Sequence, residues 1–246
     1  MQSIRPAGQK VLVADISAVS ATLVRYLFGL PFALLYFLWL LSQRSWQISP
    51  VSIDFLVCGL LAGVLQIVAT VLLIQLFTRR NFAVGSTCVR TEIVLTALIG
   101  VALFAERVSL FVWLAIFVCV VGLVLISVAK TGLINRLWHR SAVYGLSAGL
   151  CVALTSLLSR RASLSLSLND AMFSAAITLA YMVSLQTAIT VAWVGVRQPQ
   201  EFSVIVVKWP PCLFVGATAV AGSIGWFTAM TLELAAYMKT LGRLSF

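Results

Sequence analysis

Charged side chains are scarce in this sequence of 246 residues: Asp, Glu, Lys and Arg together make up 10% of it, against roughly a quarter in soluble proteins. Hydrophobic residues make up 61%, and the mean hydropathy is +1.07. A membrane helix needs roughly 20 apolar residues to cross a hydrocarbon core about 30 Å thick, and nearly the whole chain divides into such segments joined by short polar stretches. The composition excludes a sizeable soluble domain and predicts an all-α, polytopic membrane helix bundle.

Residues of the kinds used by enzymes and metal sites are scarce as well. His139 is the single histidine, and the five cysteines lie in apolar stretches without a C-x-x-C pair, so neither a zinc site nor a disulfide framework is supported. No phosphate-binding G-x-x-x-x-G-K-[ST] loop and no H-E-x-x-H helix occurs. We therefore expect no cofactor, no metal and no enzymatic activity.

Basic residues outnumber acidic ones, 17 to 7, giving a formal net charge of +10. They stand mostly singly or in pairs at the ends of apolar segments, where they favour lipid headgroups and orient the chain. We therefore expect the basic residues to contact the lipid bilayer, and we expect no binding of nucleic acid.

Seven apolar segments are predicted to cross the membrane, and an eighth begins near the C-terminus. In chain order they are 21–42, 53–77, 82–104, 108–129, 141–158, 170–196, 209–233 and the partial segment 234–246.

The sequence also matches itself at an offset of 151 to 153 residues, which places Gly63 on Gly216 and Arg90 on Arg243. The same offset superposes the first predicted segment on the sixth and the second on the seventh. A repeat unit with an odd number of helices, here five, inverts the second copy relative to the first, as in many secondary transporters. We therefore expect two inverted repeats of about five helices, at 1–134 and 135–246, both incomplete in this chain.

Two stretches carry a family resemblance. FAVGSTCVRTEIVLTALIGVALFAERVS (82–109), followed by WLAIFVCVVGLVLISVAK, resembles the end of the first repeat in the EamA-type branch of the drug/metabolite transporter superfamily. GWFTAMTLELAAYMKTLG resembles the corresponding part of the second repeat. The matching residues are Arg90-Thr91-Glu92 in the fourth helix of the family, Glu106 at its end, Gly122 in the fifth helix and Arg25 early in the second.

The resemblance implies a protein of ten helices, of which this chain lacks the first and the last two. We accordingly expect the 246-residue chain to be inactive as a monomer, or to act as a homodimer whose copies supply each other's missing helices. The sequence departs from the family at Arg243-Leu244-Ser245, where the second repeat usually has a polar-x-Glu pattern. This departure argues against a symmetric pair of acidic sites.

Arg90 and Glu92 lie inside an apolar segment, where a charge costs about 2.5–3.5 kcal/mol on the insertion scale. They are about 200° apart around a helix, so they cannot pair with each other as i,i+4 residues do. One interpretation is that both only bind neighbouring helices. The other is that Glu92 lines a water-accessible cavity, where it carries a proton or holds a cationic group of a substrate.

Other polar groups within predicted helices are candidates for the same substrate or proton path. They are Arg25, Gln66, Gln186 and Trp226. Each of these is also compatible with a structural role, and glutamine and tryptophan within spans are more often contacts between helices than substrate contacts.

Small residues four apart predict close helix packing. Two such pairs are Gly59 with Gly63 and Gly145 with Gly149. The second pair also matches G-x-S-x-G, but that nucleophile motif needs a strand-to-helix turn and triad partners, which this helical segment does not offer.

The function that these observations favour is secondary transport of a small metabolite or xenobiotic, by export or exchange, through alternating access. Protons or a counter-substrate would couple the transport, and the location would be the bacterial inner membrane. The alternative is an incomplete or noncatalytic membrane protein with an assembly or regulatory role.

Overall fold

The computed structural model describes residues 16–43, 52–77, 92–104, 113–114, 117–118, 121–122, 140–168 and 170–232, and it contains no strand among them. The helices are α1 Ala18–Leu27, α2 Leu30–Ser42, α3 Ile53–Phe77, α4 Glu92–Phe104, α5 Arg140–Ser165, α6 Ala171–Arg197, α7 Glu201–Val207 and α8 Trp209–Leu232. Five described stretches are long and apolar enough to cross a membrane, with α1 and α2 counted as one. The predicted all-α, polytopic fold class is confirmed.

Several predicted segments agree closely with the helices. The second segment coincides with α3, the sixth is shifted from α6 by one residue at each end, and the seventh differs from α8 by one residue at its C-terminal end. Residues 82–91 of the third lie outside the described residues, as does most of 108–129, whose six described residues are helical. The partial segment at the C-terminus also lies outside them.

The fifth predicted segment ends too early, because α5 continues past 158 to Ser165. Arg160 and Arg161 resemble a polar joint in the sequence. In the structure Arg161 lies outside the packed face, with Nη2 3.6 Å from Asp54 Oδ2 and side chains 53% and 67% exposed, while Ala162 and Ser163 are buried. The helix α5 therefore continues to Ser165 with Arg161 on its exposed face.

Two other boundaries differ from the prediction. The first segment starts at Ala18 instead of 21, because the side chain of Ser17 accepts from the Ser20 amide and caps α1. Residues 197–208, between the sixth and seventh predicted segments, contain the short helix α7.

The helical hydrogen bonds of the first span are broken in the middle, although Phe28 and Gly29 keep right-handed helical backbone angles. Phe28 and Gly29 separate α1 from α2, and Pro31 stands at the start of α2. Proline has no amide hydrogen and its ring clashes with the carbonyl four residues earlier, here that of Leu27. The break is thus a direct consequence of Pro31.

Contacts divide the chain into two compact units. The first comprises Met1–Ile67 and Ser159–Leu232, and the second comprises Val68–Leu158 and Glu233–Phe246. In the first unit α6 is central and packs against α1, α2 and α8.

The first span and α6 run antiparallel within the first unit. At one end Phe37 stacks on Phe173 with ring centroids 6.2 Å apart, and Leu40 packs with Ala176. At the other end the Ser17 hydroxyl lies 2.7 Å from Gln198 Oε1. The start of one span therefore meets the end of the other.

Candidate functional site

A recess opens among α1, α3, α6 and α8 in the first unit, with about 310 Å³ of empty space including its open side. Its enclosed part has room for about one water molecule. The residues that line it are Arg25, Tyr26, Gln66, Leu179, Met182, Val183, Gln186, Ala219, Val220, Ser223 and Phe227. Three of the predicted path residues, Arg25, Gln66 and Gln186, thus come together.

Arg25 is the one formally charged side chain among the described residues that line the recess. It lies in the last turn of α1, where the helix dipole favours a cation, and it is 7% exposed. Its guanidinium carbon is 5.5 Å from the centroid of the Tyr26 ring, within the range of a cation–π interaction. Phe28, which follows the end of α1, is three residues after this charge.

Two glutamine side chains are joined across the recess. Gln186 Nε2 donates to Gln66 Oε1 at 3.0 Å and to the Gly63 carbonyl at 3.3 Å. Gln186 is 1% exposed. The pair links α3 to α6 and places amide groups beside apolar walls.

The remaining walls of the recess were not predicted from the sequence. Leu179, Met182 and Val183 precede Gln186 by seven, four and three positions, so they share its helix face. Ser223 and Phe227 are likewise four apart on α8. Helical spacing counted from Gln186 would have found the first set, whereas nothing in the sequence indicated which face of α8 meets it.

The other predicted path residues lie elsewhere. Trp226 is half-buried on α8 beside the lining residue Phe227, but it is not one of the described residues lining the recess. Glu92 belongs to the second unit, where it is buried in the first turn of α4. Its carbonyl accepts a hydrogen bond from the Thr96 hydroxyl at 2.6 Å. Arg90 lies outside the described residues.

Glycines allow helices to approach closely on both sides of the recess. A Cβ added at Gly59 would lie 2.6 Å from Tyr181 Cε1, and one at Gly63 would lie 3.0 Å from Leu185 Cδ2. A Cβ at Gly216 would lie 2.5 Å from the backbone carbon of Phe28. In the second unit, Gly145 and Gly149 are both buried in α5.

A polar cluster holds the N-terminal end of α1. Glu201 Oε2 accepts from the Ser17 amide at 3.1 Å, and it lies 3.0 Å from the Ser17 hydroxyl. The positive end of the helix dipole also stabilises a carboxylate at this position. Glu201 was not predicted from the sequence, because its contact with Ser17 joins residues 184 positions apart.

A polar recess between membrane-spanning helices is typical of membrane transporters. The sequence comparison agrees with this class, because residues 3–128 match the EamA-like transporter family. The chain belongs to that family, whose members are transporters of the drug/metabolite superfamily. No curated protein and no solved structure matches it.

Proposed function

We propose that the chain is a secondary transporter of a small metabolite or xenobiotic, acting as an exporter or exchanger in the bacterial inner membrane. The observation that carries the proposal is the recess at Arg25, Gln66 and Gln186, which combines one charge and two amides with apolar walls. Substrate sites have this composition, with a few polar groups fixing orientation in a mostly apolar cavity.

The proline kink in the first span supports alternating access. A helix bends at a proline, and here Arg25 is three residues before Phe28, where the helical hydrogen bonds of the span are interrupted. The enclosed space has room for about one water. We therefore interpret the structure as a contracted state, in which α1 must move relative to its neighbours to admit a substrate.

The antiparallel packing of the first span and α6 supports the proposed inverted repeats at 1–134 and 135–246. These two elements are the ones that the sequence offset superposes. Inverted copies of one helix cross the membrane in opposite directions, and the contacts Phe37–Phe173 and Ser17–Gln198 are those of two antiparallel helices.

We assign Glu92 the role of the coupling residue, which exchanges a proton or holds a cationic counter-substrate. It is 8% exposed within an apolar helix, and an ionisable residue inside a membrane segment is a functional candidate by default.

Transport can be tested by reconstituting the full chain in liposomes loaded with a defined mixture of amino acids, organic acids, nucleosides and cationic dyes. Mass spectrometry of the external medium, with and without a pH gradient, identifies what is released. We expect release of at least one compound above protein-free liposomes. The variant Glu92→Gln should retain its amount of folded protein and lose the dependence of release on the pH gradient.

The control is Arg161→Gln, which removes an exposed charge outside the recess and should leave release unchanged. Absence of release and of exchange for every compound would contradict the transport proposal. That result would favour the assembly or regulatory role.

A further inference from the structure

The hydrogen bonds of Gln186 determine which end of its amide is available to a ligand. A backbone carbonyl can only accept, so the side-chain atom 3.3 Å from the Gly63 oxygen must be the nitrogen. The same nitrogen donates to Gln66 Oε1 at 3.0 Å. Both hydrogens of Nε2 are thus used within the protein.

The other end of the amide, Oε1, accepts no hydrogen bond from any described residue. Two described residues, Ser20 and Tyr36, have polar side-chain atoms that are fully occluded and unpaired. Gln186 Oε1 is not one of these, so it retains access to the recess that its side chain lines. Leaving a nearly buried acceptor without a hydrogen bond costs free energy. A ligand that brings a donor to Oε1 removes this cost.

The rest of the lining supplies a positive charge and apolar surface. Arg25 offers a guanidinium group, which suits carboxylate and other planar anions. Tyr26, Met182 and Phe227 offer aromatic and thioether surface. Gln186, in contrast, has no free N–H to offer.

We propose that the recess, once α1 has moved to admit a ligand, binds an organic anion that also carries an O–H or N–H group, with the anion at Arg25 and the donor at Gln186 Oε1. Gln186 is then the specificity-determining residue, since it rejects compounds that present an acceptor or an apolar group at that position. This inference rests on the proposed function, because it names the substrate class of the same recess.

The test compares two probes that differ by one hydroxyl group, 3-phenyllactate and 3-phenylpropionate, in equilibrium binding to the purified full chain. We expect the wild-type chain to prefer 3-phenyllactate by about five- to tenfold. In Gln186→Met, which keeps the length of the side chain, the preference should fall to about one, through weaker binding of 3-phenyllactate alone.

The matched control is Gln75→Met, the same substitution on α3 at a residue that does not line the recess, and it should keep the preference. Equal affinities in the wild type, binding of neither probe, or a preference that survives Gln186→Met would each overturn the inference. The wild-type comparison needs no variant, so it stands even where Gln186→Met fails to fold.

Transport measured separately distinguishes the two proposals. Selective binding without transport in liposomes contradicts the proposed function and leaves the site intact. Transport without selectivity between the two probes contradicts the proposed site and leaves the proposed function intact.

Discussion

At the scale of single residues, polar groups inside the first unit fall into two kinds. Most hydroxyls within helices donate to a backbone carbonyl one turn earlier, as Thr22 does to Ala18 and Thr190 to Gln186. Such hydroxyls are satisfied locally and carry little information about function. Ser20 differs, because its hydroxyl is occluded and has no partner among the described residues.

Replacing Ser20 with alanine should leave stability unchanged or raise it by up to about 1 kcal/mol, because an unpaired buried hydroxyl is removed. Thermal unfolding in detergent measures the effect. The matched substitution Thr22→Val should be at best neutral, since it removes the 2.8 Å bond to Ala18. A marked loss of stability in Ser20→Ala alone would show that its hydroxyl has a partner in solution.

At the scale of helices, α8 closely approaches the chain at Phe28 and Gly29, between α1 and α2. A Cβ at Gly29 would lie 2.9 Å from Val220 Cγ2, and one at Gly216 would meet the backbone at Phe28. A side-chain contact can yield by a rotation, but a backbone contact cannot. Close approach of small residues is a general means of packing membrane helices.

Gly216→Ala should therefore destabilise the protein by about 1–3 kcal/mol, the range for inserting a methyl group into a packed contact. Gly222→Ala on the same helix is the control, because an added Cβ there meets nothing within 4 Å, and it should be neutral. Unfolding of the two variants is compared in one detergent. Equal melting temperatures would mean that the helices separate at this crossing at little cost.

At the scale of the whole chain, four predicted crossings lie between the first span and α6, so the two are expected to cross the membrane in opposite directions. The proposed inverted repeats then place the segment after α2 and the segment after α6 on opposite faces of the membrane. Ser167, in the joint before α6, belongs on the same face as Gln43 at the end of α2. The packing of Leu168 against the Leu40 cluster agrees with this arrangement.

Single cysteines at Gln43, Ser167 and Gln200, in a chain from which the native cysteines are removed, test the arrangement with a membrane-impermeant maleimide on intact cells. The cysteines at 43 and 167 should be labelled from the same side of the membrane, and the cysteine at 200 only from the other side. All three side chains are exposed, so reactivity reports the face of the membrane. Labelling of Gln43→Cys and Gln200→Cys from the same side would contradict the inverted repeats.

The fold class could be predicted from sequence because apolar length alone specifies a membrane helix. Helix ends were less predictable where a basic residue lies on the open side, as Arg161 does in α5. Three residues that line the recess, Arg25, Gln66 and Gln186, stand out in the sequence because polar groups are costly in apolar helices, and their contact with a substrate stays a prediction. Their meeting at one recess, and the contact of Ser17 with Glu201, depend on pairings between distant residues that the sequence does not display.

The bond between Ser17 and Glu201 has a consequence for biosynthesis. At about 5–20 residues per second, the ribosome needs roughly 10 to 40 s to make the 184 positions between them. During that interval α1 has emerged, yet neither α6, against which it packs, nor the carboxylate at its N-terminal end exists. Arg25 must meanwhile be sheltered by the insertion machinery or by lipid headgroups, until the later helices of the same polypeptide replace them.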